Sequence, residues 1–311
     1  MIIYTSRICI NFIIKIEILK QCFIKLIGMN NHMNMNINYD STSIYQGFRG
    51  DDFKELILNV LRKGKIKKHY IEFLTDDEGM KIYNDVFTSS TANDKNNYEV
   101  YEQMGDVLAG SFIIWYMYRR FPKLQCSEAV KIVARLKINY GSKNSFFPIS
   151  EKLGFWPFIT SSDEERNREK KPLLEDTLEA FIGATAFILD NKFRYGVGYA
   201  IIYEILTSIF DEMDISLKYE DLYDPITRLK EIFDYFKIDR IGIQEKKFTK
   251  EDKLTTFIIY QKFNGQITEL GRGIAALKSD AEQKAATYAI EKLRRVGYIK
   301  PVPDLYDKYS L

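Results

Sequence analysis

The chain has 311 residues, 46% of them hydrophobic and 14% aromatic, and a net charge of +2. That is enough apolar material for two folded cores and excludes a low-complexity or intrinsically disordered chain. Three scattered cysteines, Cys9, Cys22 and Cys126, exclude a disulfide scaffold and any CxxC zinc site, and they point to a reducing intracellular compartment, cytoplasmic or nuclear, rather than secretion.

Residues 1–28 are rich in Ile, Phe and Lys, but Lys15, Glu17, Lys20 and Lys25 interrupt every apolar run. Neither a membrane span nor the apolar heart of a signal peptide fits. The stretch reads as an amphipathic or targeting segment, or as read-through ahead of a start at Met29, Met33 or Met35. The last is the expectation, with an Asn/Met-rich run disordered to about Tyr39, so residues 1–49 are set apart. Residues 50–77 read as a helical extension: a helix over Asp52–Lys63, then a basic run, Lys63 to His69, expected to be a solvated linker.

The next stretch, Tyr98-Glu-Val-Tyr-Glu-Gln-Met-Gly-Asp106, places Glu99, Glu102 and Asp106 at i, i+3 and i+7, one stripe on a helix. The apolar run after it assigns Trp115 to the core, and the Phe155-Trp156 pair is assigned there too. Residues 161–171 are mixed in charge and read as a solvated loop. A second acidic stretch follows, Leu173-Leu-Glu-Asp-Thr-Leu-Glu-Ala-Phe-Ile-Gly-Ala184, with Asp176 and Glu179 at i and i+3. Carboxylates rarely sit in apolar helices unless something pairs with them, and these have no obvious basic partner nearby in the sequence. Hard oxygen donors favour Mg²⁺ or Mn²⁺. Only two histidines exist, His32 and His69, and neither lies near these stretches, so a metal site here would be built of carboxylates or not at all.

Beyond Asp224 the pattern changes. Asp224 is a helix N-cap with Pro225 in the first turn, and alternating runs over Ile241–Phe248, Thr255–Phe263 and Gln266–Ile274 read as three strands. Asn264-Gly265 is a hairpin turn between the last two. Lys278 to Arg295 carries Ala281, Ala285, Tyr288, Ala289 and Leu293 at helical spacing. Lys246, Lys247, Lys250, Lys253, Arg294 and Arg295 make this module locally basic.

The first acidic stretch resembles the signature of the ribonuclease III family, Asn-Glu-Arg-Leu-Glu-Phe-Leu-Gly-Asp, with Glu99, Glu102, Gly105 and Asp106 in matching positions. The second is similar to the family's Asp-x-x-Glu-Ala-x-x-Gly-Ala, here Asp176, Glu179, Ala180, Gly183 and Ala184. Tyr118-Arg-Arg-Phe-Pro122, Glu151-Lys-Leu-Gly154 and Val86-Phe-Thr-Ser-Ser90 also resemble family segments, with Ser89 where the family has His. The C-terminal α-β-β-β-α order, with Gly271-Arg-Gly273, Lys278, Ala281-Glu-Gln283 and Ala285-Ala286, resembles the double-stranded-RNA-binding domain.

The resemblance implies a mostly α catalytic domain over 78–215, a small α+β double-stranded-RNA-binding domain over 222–296 and a tail over 297–311. It implies an Mg²⁺-dependent endoribonuclease, with Mn²⁺ a possible substitute, that leaves 5′-phosphate and 3′-hydroxyl ends on double-stranded RNA. Glu102, Asp106, Asp176 and Glu179 would hold the metal, and Glu99, Asp106 and Glu179 would be catalytic. Glu128 is a looser match to a further family acid and is left out of the site. Thr227, Glu231, Arg272, Lys278 and Lys284 would contact duplex RNA, with Ser279 in place of a family lysine. Two chains would pair through the catalytic domain, although Gln103 replaces the family Phe that packs across that two-fold contact, and Tyr98 and Val100 replace its Asn and Arg. The alternatives are a catalytically silent duplex-binding or sequestering protein and a structural ribonuclease III-like subunit.

Overall fold

The computed structural model describes residues 43–141, 143–237, 240–249, 254–263 and 266–310. The expectations placed on residues 1–42, on Lys250 and Lys253, on the side chains of Lys246 and Lys247 and on the Asn264-Gly265 turn lie outside the described residues. In chain order the elements are β1 (Ile44–Tyr45), α1 (Asp51–Lys63), α2 (Lys68–Leu74), α3 (Asp77–Val86), α4 (Glu99–Arg120), α5 (Val130–Tyr140) and α6 (Lys143–Lys152). β2 (Ser161–Ser162), α7 (Asp163–Arg168), α8 (Lys170–Lys192), α9 (Val197–Phe210) and α10 (Tyr219–Leu222) complete the helical body. The module that follows is α11 (Pro225–Phe236), β3 (Arg240–Thr249), β4 (Leu254–Phe263), β5 (Gln266–Ala275) and α12 (Lys278–Arg295), and a last helix, α13 (Asp304–Ser310), ends the described chain. Among the described residues no helix is long and apolar enough to cross a membrane.

α8 is the axis of the helical body. It is apolar around most of its circumference, and α2, α3, α4, α6 and α9 surround it. Phe181 stacks on Tyr83 with ring centroids 5.3 Å apart, and the Tyr83 hydroxyl meets Thr185 Oγ1 at 2.8 Å, so the buried phenol is satisfied. α4 crosses α8 with unusual intimacy. A Cβ on Gly105 would lie 1.7 Å from the Glu179 carbonyl oxygen, and one on Gly183 would lie 2.0 Å from the Tyr101 carbonyl oxygen. Each helix thus turns a bare backbone to the other beside its own acidic stretch, and only glycine allows that approach.

The extension is part of this body. Phe53, Ile57, Val60 and Leu61 of α1 are buried in the same core as α4 and α8. The run from Lys63 to His69, expected to be a solvated linker, turns into α2 at Lys68, and the His69 ring lies 4.1 Å from that of Tyr70. Residues 161–171 are not the solvated loop their charge predicts: Ser161 and Ser162 pair with Tyr45 and Ile44, α7 follows, and α8 has begun by Lys170. Arg166 explains why so charged a segment orders. Its guanidinium lies between the Tyr45 and Trp156 rings, 3.7 and 3.8 Å from their centroids, and it donates to the carbonyls of Ile159 and Trp156. Phe155 is core as expected, whereas Trp115 is 63% exposed, because α4 carries apolar residues on both its inner and its outer face.

The C-terminal module has the expected α-β-β-β-α order, with an antiparallel sheet β3-β4-β5. α12 lies against β5 because Gly271 and Gly273 face Ala281, Ala285 and Ala289; a Cβ on Gly273 would sit 1.9 Å from the Ala281 carbonyl oxygen. Asp224 caps α11, accepting from Thr227 N at 3.0 Å. The stretch expected to be a tail is ordered over residues 297–310. The segment runs back to the helical body, where α13 buries Tyr306 and Tyr309 in that body's core. Tyr306 OH meets Tyr223 OH at 2.6 Å, and Lys308 pairs with Glu128 at 2.6 Å. Glu128 is therefore occupied with the last helix.

Candidate active site

The α4–α8 crossing brings together three of the acids whose spacing marked them out. Ligand oxygens of Glu102, Asp176 and Glu179 all lie within 4.8 Å of one another. Glu102 comes from the first turn of α4, and Asp176 and Glu179 come from the second and third turns of α8. Glu102 and Asp176 are half-buried, and Glu179 is buried. Asp106, one turn beyond Glu102, is exposed and outside this triplet, but its charge reaches Glu179. Glu99 is exposed at the start of α4 and lies outside the triplet.

Burial, and then the charges of Glu175, Asp106, Asp176 and Glu102, push the Glu179 carboxyl up from 4.5 to about 8. Burial and like charge both disfavour the ionised form of Glu179, which a bound cation would favour. The donor set is all oxygen, and a span of 4.8 Å lets three carboxylates converge on one small hard cation. The residues fit a divalent ion of the magnesium or manganese type.

Glu175 is the acid that the sequence reading passed over. It is only 6% exposed, and its charge is the first of those acting on Glu179. Its i−4 relation to Glu179 was the available signal, since that spacing puts both on one helix face.

The residues assigned to RNA contact lie on the C-terminal module. Arg272 of β5 is exposed and bonded to Glu269 through Nε and Nη2 at 3.0 and 2.8 Å. Lys278 opens α12, and Lys284 Nζ reaches the Ile274 carbonyl at 3.1 Å. Thr227 Oγ1 donates to Asp224 Oδ2 at 2.6 Å as part of the α11 cap. Glu231 Oε2 accepts from Lys300 Nζ at 2.6 Å and from the hydroxyl of Tyr219, which joins α11 to the segments on either side of the module.

The family model described as Ribonuclease III domain matches residues 99–189, a span that holds Glu99, Glu102, Asp106, Glu175, Asp176 and Glu179. A putative ribonuclease 3 of Invertebrate iridescent virus 6 is 43% identical over 292 residues, covering 89% of this chain and 100% of that protein. A putative ribonuclease 3 of Frog virus 3 (isolate Goorha) is 40% identical over 248 residues, which are 79% of this chain and 64% of that protein. Among solved structures, the nuclease domain of ribonuclease III from Campylobacter jejuni aligns at a TM-score of 0.39 with 21% identity, covering 51% of this chain and 97% of that one.

Proposed function

The chain belongs to the ribonuclease III family, and from that membership we propose that it is an Mg²⁺-dependent endoribonuclease that hydrolyses double-stranded RNA to 5′-phosphate and 3′-hydroxyl ends. The observation that carries this reading is the convergence of Glu102, Asp176 and Glu179 at a glycine-lined helix crossing, with Glu179 pushed up to about 8. Glu102, Asp176 and Glu179 would hold the cation, with Asp106 at the open edge of the site. When bound, the ion supplies a water activated near neutral pH and neutralises charge at the phosphate. The side chains would hold the ion, and Glu179 would give up its proton as the site fills. No side-chain nucleophile is required. Glu99 enters as an outer acid that organises the mouth of the cleft.

In the same reading, the C-terminal module binds the duplex by shape, through phosphates and 2′-hydroxyls, as double-stranded-RNA-binding domains do. Arg272, Lys278 and Lys284 form its basic edge, with the N-terminus of α12 adding positive potential. Thr227 and Glu231 would face the minor groove, Glu231 in competition with Lys300 and Tyr219. A long labelled RNA duplex should be cut with Mg²⁺ or Mn²⁺ and left intact in chelator. Duplex binding without cutting under every metal condition would sink the enzyme and leave a binding protein.

Two copies pairing across α4 is the assembly this reading favours. Val100, Met104, Val107 and Trp115 recur along the outer face of that helix, and Val107 is 69% exposed. These residues supply the apolar contact that Gln103 does not. Val107→Asp is expected to shift the chain from dimer to monomer in sedimentation at micromolar concentration, while the unaltered chain remains a dimer. A monomeric unaltered chain would refute the pairing.

A further inference from the structure

Tyr98 caps the start of α4, with its ring buried and only 5% of the residue exposed. Its hydroxyl lies 3.5 Å from Asp176 Oδ2, at the long limit of a hydrogen bond, with the Ser89 hydroxyl beside it. Behind it stands a hydroxyl network with a single centre. Ser89 Oγ donates to Glu165 Oε2 at 2.6 Å, and Thr91 Oγ1 donates to the same oxygen at 2.5 Å. Thr91 N donates to Ser89 Oγ at 3.2 Å, and Ser162 N to Thr91 Oγ1 at 3.0 Å. Ser89 itself is fully buried, with its N–H on the Thr160 carbonyl at 2.8 Å. Glu165 rides on α7, the short helix whose N-cap is Ser162 and whose Arg166 is clamped between Tyr45 and Trp156.

We propose that Tyr98 is a positioning residue for the cation site, its hydroxyl, backed by Ser89, Thr91 and Glu165, holding the Asp176 carboxylate in register with Glu102 and Glu179. A neutral donor suits this place. A lysine or arginine there would fix Asp176 equally well but would put a second positive charge beside the ion. A phenol carries no charge at neutral pH and gives direction without that competition. Glu165 is thus an acid of the region that serves the site from behind rather than from within it.

This inference rests on the cation reading above, and direct Mn²⁺ binding to the full chain, followed by electron paramagnetic resonance, tests the two separately. Tyr98→Phe keeps the buried ring and removes only the hydroxyl. It should weaken Mn²⁺ binding by about tenfold, the scale of an outer-shell loss, and raise the metal concentration needed for cleavage by the same factor, with the rate at saturating metal largely restored. Ser89→Ala should weaken binding less, and the double variant no more than Tyr98→Phe alone, because Ser89 acts through the phenol. Unchanged Mn²⁺ affinity in Tyr98→Phe, with binding still lost in Asp176→Asn, would overturn the positioning role and leave the cation site standing. Equal Mn²⁺ binding by the unaltered chain and by Asp176→Asn would overturn both.

Discussion

Glu179→Gln is expected to lower the rate of duplex cleavage by on the order of 10³-fold, since a cation site that loses one of its holding carboxylates forfeits several kcal/mol of transition-state stabilisation. The substitution is nearly isosteric, so the α4–α8 crossing should survive it. The same residue sets the pH dependence. In the folded, metal-free chain its carboxyl is pushed up from 4.5 to about 8. Between those values the folded state binds more protons than the unfolded one, so the stability this group contributes is full below 4.5 and falls as pH rises toward 8. Glu179→Gln should remove that slope, making the metal-free variant more stable than its parent at alkaline pH while it is nearly inactive at every pH. In the parent, metal must displace the proton, so Mn²⁺ affinity should rise with pH up to about 8, with proton release visible by calorimetry in buffers of different ionisation enthalpy. Cleavage by Glu179→Gln at the parental rate would remove this residue from the chemistry.

Gly105→Ala should unfold or badly misplace the site although it adds one methyl group. The new Cβ would lie 1.7 Å from the Glu179 carbonyl oxygen and 3.1 Å from its Cα, and both are backbone atoms that cannot rotate aside. The two helices must therefore separate, at an expected cost of about 3 kcal/mol or more in urea unfolding. Separation also carries Glu102 away from Asp176 and Glu179, so Mn²⁺ binding should be lost together with stability. Gly110→Ala on the same helix is the control. Its Cβ would meet only the flexible end of Lys137, with Cε at 3.0 Å, and the gain in helix propensity is roughly 0.5–1 kcal/mol. A neutral Gly105→Ala would mean that the crossing is looser than described.

Much of the architecture was legible because its signals are local. Asp224 and Pro225 marked the start of α11, alternation marked β3, β4 and β5 to within a residue or so, and alanine spacing marked α12. The misreadings have a common physical origin. Residues 161–168 look like a solvated loop until Arg166 finds two aromatic rings, one of them from β1, more than a hundred residues away in sequence. Trp115 looks like core because it sits in an apolar run, but a run that is apolar all round says nothing about which side faces out. Tyr306 and Tyr309 stand at i and i+3 in a short polar segment, and only the surface of the helical body makes that pair a buried face.

The candidate site divides along the same line. Spacing within a helix is a property of one segment, so the sequence alone placed Glu99, Glu102 and Asp106 on one stripe and Asp176 and Glu179 on another, and put a glycine close to each. Which of these carboxylates meet is a property of two segments. The backbone contact at Gly105 and Gly183 gathers Glu102, Asp176 and Glu179 and leaves Glu99 at the rim. Glu175 acts on Glu179 from the same helix, but the burial that is the first cause of the raised carboxyl is set only once the helices have packed.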